Sequence, residues 1–414
     1  MKKFSFITFL VISLIYPKII SSQSAHSNNW NQFRGLNRDG IITDLSLKAD
    51  WFDSKPELVW KKKIGQAFSE VVIYDNMLFT MFSEKTDSIS GEEFIAAYNS
   101  ETGEEIWRTK VYSIFIDVDG WGDGPRSTPA VDEKLVFCFS GNGKLSALDK
   151  TSGKVIWQKD FVTDFESSVP RWGYSASPLI LKDRIVMEVG GANGKAFASF
   201  DKANGDLIWA KANGVASYSS PVLFEIEGAE QLIFANSGVL YSFNENGEEL
   251  WKYKLPIRPS TSLPVLLDSN KIFVSALGAV GFVILQVKQD SIIELIQSSN
   301  MKNDYSTSCF YNDYIYGFNV AALQCISPIT GEKLWVKRGF GKGSFIILND
   351  KLIVLSDQGK IVYVEADNMS YKEVNSFQAI DGKCWTAPSY SNGRLYVRNL
   401  AEMACYKIDQ VKKS

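Results

Sequence analysis

Residues 147–157 read ALDKTSGKVIW, and this stretch decides the fold. Two short apolar runs, Ala147–Leu148 and Val155–Trp157, flank a polar turn containing Asp149 and Gly153. An Asp opening a turn can accept backbone N–H bonds, and a Gly supplies the φ > 0 corner that a tight hairpin needs. The closing Trp brings enough apolar area to cover the edge between neighbouring sheets. For these tryptophans, packing is a better account than catalysis.

The same phrase returns along the chain. It reads AYNSETGEEIW at 97–107, SFDKANGDLIW at 199–209, SFNENGEELW at 242–251 and CISPITGEKLW at 325–335. The marker tryptophans are Trp107, Trp157, Trp209, Trp251 and Trp335, with Trp60 of PELVWKKKIG in the same role upstream. Gly103, Gly153, Gly205, Gly247 and Gly331 occupy the turns. Between Trp251 and Trp335 the interval doubles, which predicts a degenerate copy around VILQVKQDSIIEL (283–295) that has lost its Trp. A weak copy, YVEADNMSYKEV, follows at 363–374.

A second marker precedes each turn: RSTPAV (126–131), SASPLI (175–180), YSSPVL (218–223), TSLPVL (261–266) and WTAPSY (385–390). Pro129, Pro178, Pro221 and Pro264 suit the first residues of an inner strand, where a missing N–H costs no ladder bond. Each period therefore holds four short strands, and four strands in a unit of about 40–50 residues describe a propeller blade. Inner-strand starts near Ser69, Pro129, Pro178, Pro221, Pro264, Cys309, Ser344 and Pro388 predict an all-β, eight-bladed β-propeller. The chain ends one strand short at MACYKID, so PELVWKKKI is expected to complete the last blade and close the ring. A seven-bladed ring with one irregular blade is the competing count.

The expected boundaries are a signal peptide over 1–22, a leader over 23–55, the propeller over 56–409 and a tail over 410–414. Lys2, Lys3, an apolar run over 4–16 and the small residues Ser21 and Ser22 have the order of a secretory signal. The mature chain is expected to be exported, periplasmic or extracellular, with no transmembrane segment. Trp30, Phe33, Trp51 and Phe52 would be costly to leave in water, so the leader is expected to pack on the ring.

Composition excludes several chemistries. Of 414 residues, 45% are hydrophobic and 13% aromatic, ample for a large core, and a formal charge of −3 with no basic patch argues against nucleic acid. His26 is the only histidine and stands beside the expected cleavage site, which removes histidine bases and triads. Cys138, Cys309, Cys325, Cys384 and Cys405 contain no CxxC, CxxCH or adjacent pair, and all lie in strand-like contexts. Buried thiols are expected, with Cys384–Cys405 or Cys309–Cys325 disulfides as the alternative.

Loops leading into the innermost strands ring one mouth of a propeller's channel. Two are long here, SIFIDVDGWGDGPRS (113–127) and DFVTDFESSVPRWGYSAS (160–177). They make Trp121, Asp123, Arg126, Arg171, Trp172 and Tyr174 the candidate ligand- or partner-binding residues, as an aromatic-walled, anion-recognising mouth. The same residues could instead only cap the channel. Asp117, Asp119 and Asp123 lack EF-hand spacing, and GGANGK (190–195) and GFGKGS (339–344) lead into no helix, so neither a calcium loop nor a phosphate loop is expected.

The turn phrase and the S-x-P strand starts resemble the PQQ-like (pyrroloquinoline quinone repeat) β-propeller family over residues 30–408. WNQFRGLNRDG (30–40), GDGPRSTP and WGYSASP look like a secreted bacterial branch of it. Two relatives set the functional expectations. The quinoprotein alcohol dehydrogenases imply a calcium-held quinone, an Asp base, a Trp floor and adjacent disulfide-bonded cysteines, and this chain lacks the cysteine pair. BamB, a scaffold of the outer-membrane barrel-assembly machinery, implies an eight-bladed protein-binding ring. BamB is a lipoprotein, whereas no Cys precedes Cys138 here. The resulting expectation is an exported, monomeric, non-catalytic scaffold for a protein or polymer, with no cofactor and no metal. The alternatives are a PQQ- and calcium-dependent alcohol or sugar dehydrogenase and a small-ligand-binding propeller.

Overall fold

The computed structural model describes residues 29–258 and 261–409. The expected signal peptide, His26 and the tail lie outside the described residues. Eight four-stranded antiparallel units follow one another in chain order. Blade 1 runs from Val72–Tyr74 to Glu105–Ser113 and blade 2 from Ala130–Val131 to Val155–Asp160. Blades 3 to 7 end on Leu207–Lys211, Glu249–Lys254, Ser291–Ser298, Lys333–Lys337 and Glu373–Gln378. Blade 8 takes three strands from the end of the chain, and its outermost strand is Glu57–Lys63, antiparallel to Glu402–Lys407 with Trp60 opposite Cys405. The ring has eight blades and is closed by an N-terminal strand. The interval between Trp251 and Trp335 does hold a complete blade, the fifth.

The repeat phrase acts between blades as well as within them. Asp149 Oδ1 accepts from Thr151 and Ser152 N–H, and Asn99 and Asp201 do the same in their turns. Each turn Gly has positive φ, but there is a second constraint. A Cβ on Gly103, Gly153, Gly205 or Gly247 would lie 2.5–2.8 Å from the ring of Trp60, Trp107, Trp157 or Trp209, each on the preceding blade. Those indoles also donate Nε1–H to a carbonyl of the turn they cover, at Ser100, Lys150, Lys202 and Glu245. In the degenerate blade Ile296 takes the place of the Trp against Gly331. Trp251, which faces that blade's altered turn, donates to Gln231 Oε1 of its own blade.

Nearer the axis, hydroxyls link one blade to the next. Glu70 N–H donates to Thr128 Oγ1, Thr128 N–H to Ser177 Oγ, Ser177 N–H to Ser220 Oγ and Leu263 N–H to Thr307 Oγ1. Ser389 Oγ donates to Val71 O across the closing seam. The Ser or Thr directly before the Pro of the marker (Thr128, Ser177, Ser220) is thus an acceptor for the neighbouring backbone, while the Pro needs no donor.

The leader is bound to the ring. Trp30 is 1% exposed and exchanges both backbone hydrogen bonds with Ile73. Trp51 is buried against Tyr363, and Phe52 is half-buried beside it. Burying a Trp contributes roughly 4 kcal/mol at ~25 cal/mol/Å2, an upper bound. Ile41–Ile42 also adds a short parallel fifth strand to the inner edge of blade 7, a pairing that no sequence signal announces.

Candidate functional site: the mouth of the channel

A pocket of about 410 Å3 lies on the ring axis and takes residues from all eight blades and the leader. Its floor is the leader. Arg38 is buried and donates to Pro221 O at 2.8 Å, to Ser177 O and Pro178 O, and to Gln32 Oε1 at 3.0 Å. Burial pulls its guanidinium down to about 9. Four residues earlier, Arg34 N–H donates to Glu70 Oε2 at 3.0 Å, and Arg34 Nη2 donates to Asp39 O and Cys309 Sγ. Burial raises the Glu70 carboxyl to about 7, against the pull of the Arg34 N–H and the two arginine charges. WNQFRGLNRDG thus closes the channel on one side, with Arg34 and Glu70 facing the pocket.

The open side is aromatic. Trp121 and Trp172 are 46% and 40% exposed and line the pocket. Trp385 lies 5.6 Å from Trp121, 5.3 Å from Tyr305 and 5.8 Å from Phe68, centroid to centroid. Trp172 lies 5.3 Å from Tyr218. Lys342 Nζ pairs with Asp304 at 2.8 Å and stands 5.6 Å from the centroids of both Tyr305 and Trp385. Lys383 Nζ donates to Trp121 O and stands 4.6 Å from the Trp385 centroid. Arg126 pairs with Asp117 at 3.1 Å and stacks 4.7 Å from Phe115 and 5.3 Å from Phe68.

The residues singled out from the two long loops separate into four groups. Trp121, Arg126 and Trp172 face the pocket. Arg171 does not, but it holds Asp119 through two hydrogen bonds of 2.8 and 2.6 Å, and Trp172 Nε1 donates to the same carboxylate at 2.7 Å. These bonds, Arg171 first, hold Asp119 down at about 2 and tie the two loops together. Asp123 is turned away, accepting Asp117 N–H and pairing with Lys85. Tyr174 is a core residue: 1% exposed, packed on Phe139 and bonded to Ser167 Oγ. An aromatic beside exposed loop residues looks like a rim group, but Gly143 and Phe161 leave room for it beneath the surface.

Sequence reasoning missed Phe68, Glu70, Tyr218, Asp304, Tyr305, Lys342 and Trp385. A signal for most of them existed. Phe68, Arg126, Ser175, Tyr218, Thr261, Tyr305 and Trp385 each stand four residues before the first residue of an inner strand, and all line the pocket. Blade 7 departs from the rule and contributes Lys342 and Ser344.

A calcium-held quinone does not fit this donor set. Asp117 accepts from Asp119, Trp121 and Gly122 N–H and from Arg126, Asp304 is held by Lys342, and Glu70 by the Arg34 N–H. Calcium takes six to eight oxygens, and these are already facing N–H groups and cations. Among the described residues no three His, Cys, Asp or Glu side chains are grouped to share a metal, and the five cysteines are separate buried thiols.

Eight blades, four of their seams made by Trp-on-Gly contacts, closed by an N-terminal strand define a PQQ-repeat β-propeller. Within that class, the family described as "Outer membrane protein assembly factor BamB" matches residues 91–337, and the chain belongs to that family. It is 23% identical to BamB of Shewanella oneidensis over 267 residues, 60% of this chain and 66%, just under two thirds, of that protein. The fold is similar to that of BamB from Moraxella catarrhalis, with a TM-score of 0.62 at 14% identity, covering 87% of this chain and all of that one. It is also similar to quinohemoprotein alcohol dehydrogenase from Comamonas testosteroni, with a TM-score of 0.64 at 12% identity, covering 93% of this chain and 81% of that one. Among the described residues no helix is long and apolar enough to cross a membrane.

Proposed function

We propose that the protein is an exported, non-catalytic scaffold that binds a protein or an extended polymer at the cell envelope, with the channel mouth as its recognition site. Its family's name, an outer-membrane protein assembly factor, supports the envelope setting. The observation that carries the reading is the pocket itself: open, walled by aromatics, lined on the leader side by Phe33 and Arg34, and with Asp117 and Asp304 already bound to cations. Such a site presents surface and charge without a free base. Glu70 alone invites an enzymatic reading, since a carboxyl near neutrality suits proton transfer. Yet Glu93 and Glu188 are also raised to about 7, in blade seams away from the pocket, so burial in this fold is sufficient cause.

A photo-crosslinking residue placed at Trp121 in living cells tests the reading. Adducts of defined mass at Trp121, absent when the probe replaces Ile329 of an outer turn, are expected. No adduct, or the same pattern at both positions, would refute a mouth-centred scaffold.

A further inference from the structure

We propose that the channel mouth is a glycan site that takes an acidic, uronate-type sugar residue of an extended polysaccharide. This rests on the reading of the mouth as a recognition site and names its ligand class. A cavity of about 410 Å3 has the size of a small-ligand pocket, and one open side suits the end or a single unit of a polymer rather than a threaded chain.

Three observations select the chemistry. Trp121, Trp172 and Trp385 offer flat apolar faces at and just below the rim, the surface on which the C–H face of a sugar ring stacks. Deeper, Ser306 Oγ, Ser344 Oγ and Arg34 Nε have no hydrogen-bond partner, although all three residues are more than nine-tenths buried and line the pocket. Buried polar atoms without partners are rare and costly. Sugar hydroxyls both donate and accept, so one ring can satisfy two serine hydroxyls and a guanidinium N–H together. Third, the charge around the mouth is positive on balance: Arg34, Arg126 and Lys342 of the lining face Glu70, Asp117 and Asp304, and Lys383 beside the lining adds one more cation. Asp117 and Asp304 are neutralised by Arg126 and Lys342, whereas Lys383 Nζ, beside the pocket lining rather than in it, meets Trp121 O and the Trp121 and Trp385 rings and has no carboxylate partner among the described residues. Together with Arg34 Nε, that favours a ligand carrying carboxylate.

The test is titration of the full chain with hexagalacturonate, with a neutral glucose hexasaccharide of equal length and with hexaglutamate, read by calorimetry and tryptophan fluorescence. Saturable one-to-one binding of hexagalacturonate is expected, weakened at least tenfold by Trp172→Ala and by Lys383→Ala and unchanged by Ile329→Ala. Unaltered melting temperatures certify that the half-exposed rim variants are folded. Equal affinity for the neutral hexasaccharide would overturn the charge assignment, and equal affinity for hexaglutamate would overturn the sugar. No saturation by any sugar at millimolar concentration overturns the proposal outright. The crosslink at Trp121 is independent of these titrations, so a partner captured there while the sugars fail would sink the glycan and leave the scaffold standing.

Discussion

Gly205→Ala should destabilise the ring by about 2–4 kcal/mol, well beyond what backbone conformation alone explains. Gly205 has φ +77°, and an added Cβ would lie 2.7 Å from Cδ2 and 2.8 Å from Cε3 of Trp157. Forcing an L-residue into the left-handed region costs about 1–2 kcal/mol, partly offset by the stiffer unfolded chain that Ala brings. Overpacking a filled site adds about 1–3 kcal/mol. Trp157 is buried and held by its Nε1 bond to Lys202 O, so it cannot swing clear. Gly228 provides the control: its φ is +79°, but a Cβ there meets nothing within 4 Å, so Gly228→Ala should cost only about 1 kcal/mol. With a urea slope near ~3 kcal/mol/M, the midpoints should fall by about 1 M and 0.3 M respectively. In a Trp157→Ala background the ring is gone, and the two Gly→Ala costs should become equal, a coupling of about 1–3 kcal/mol. Midpoints for Gly205→Ala and Gly228→Ala that coincide in the native background would refute the Trp-on-Gly account of the repeat.

Stability should fall as pH rises from about 4.5 to 7, because Glu70, Glu93 and Glu188, each raised to about 7 by burial, keep protons that the unfolded chain has already released. For Glu188, bonded to Ser217 and Asn236, the shift from 4.5 to about 7 corresponds to about 3 kcal/mol, so Glu188→Gln should flatten the slope of melting temperature against pH. A wild-type melting temperature that is level from pH 5 to 8 would contradict this. Trp30→Ala should cost about 3–5 kcal/mol, and deletion of residues 27–50 more, by thermal melting; an unchanged melting temperature would mean that the leader does not brace the ring. Quinone with calcium should produce neither stoichiometric binding by absorbance nor dye-linked alcohol oxidation, whereas turnover would return attention to Glu70 and Asp304.

What could be read from the chain depended on where each interaction closes. The hairpin with Asp149, Gly153 and Trp157 is finished within one blade, so its period, the degenerate fifth copy and the closing strand at Glu57–Lys63 were all legible. The reason for the Gly was only half legible. Positive φ follows from the turn, but the indole that forbids a Cβ comes from the blade before it, as with Trp157 against Gly205. The S-x-P marker behaves likewise: the Pro explains itself locally, whereas Ser177 is an acceptor for Thr128 N–H of another blade. The mouth is the extreme case. Trp121, Arg126 and Trp172 stood out because their loops are long. Phe68, Tyr218, Tyr305 and Trp385 come one from each short lead-in and meet only when the ring closes. A propeller repeats its backbone at a fixed period while freeing the residue four positions before each inner strand to vary. The repeat therefore specifies a place, and the succession Phe, Arg, Ser, Tyr, Thr, Tyr and Trp at that place makes up much of the pocket wall. Reading down that one position around the ring, rather than along any single loop, is how the wall of this pocket becomes visible in the sequence.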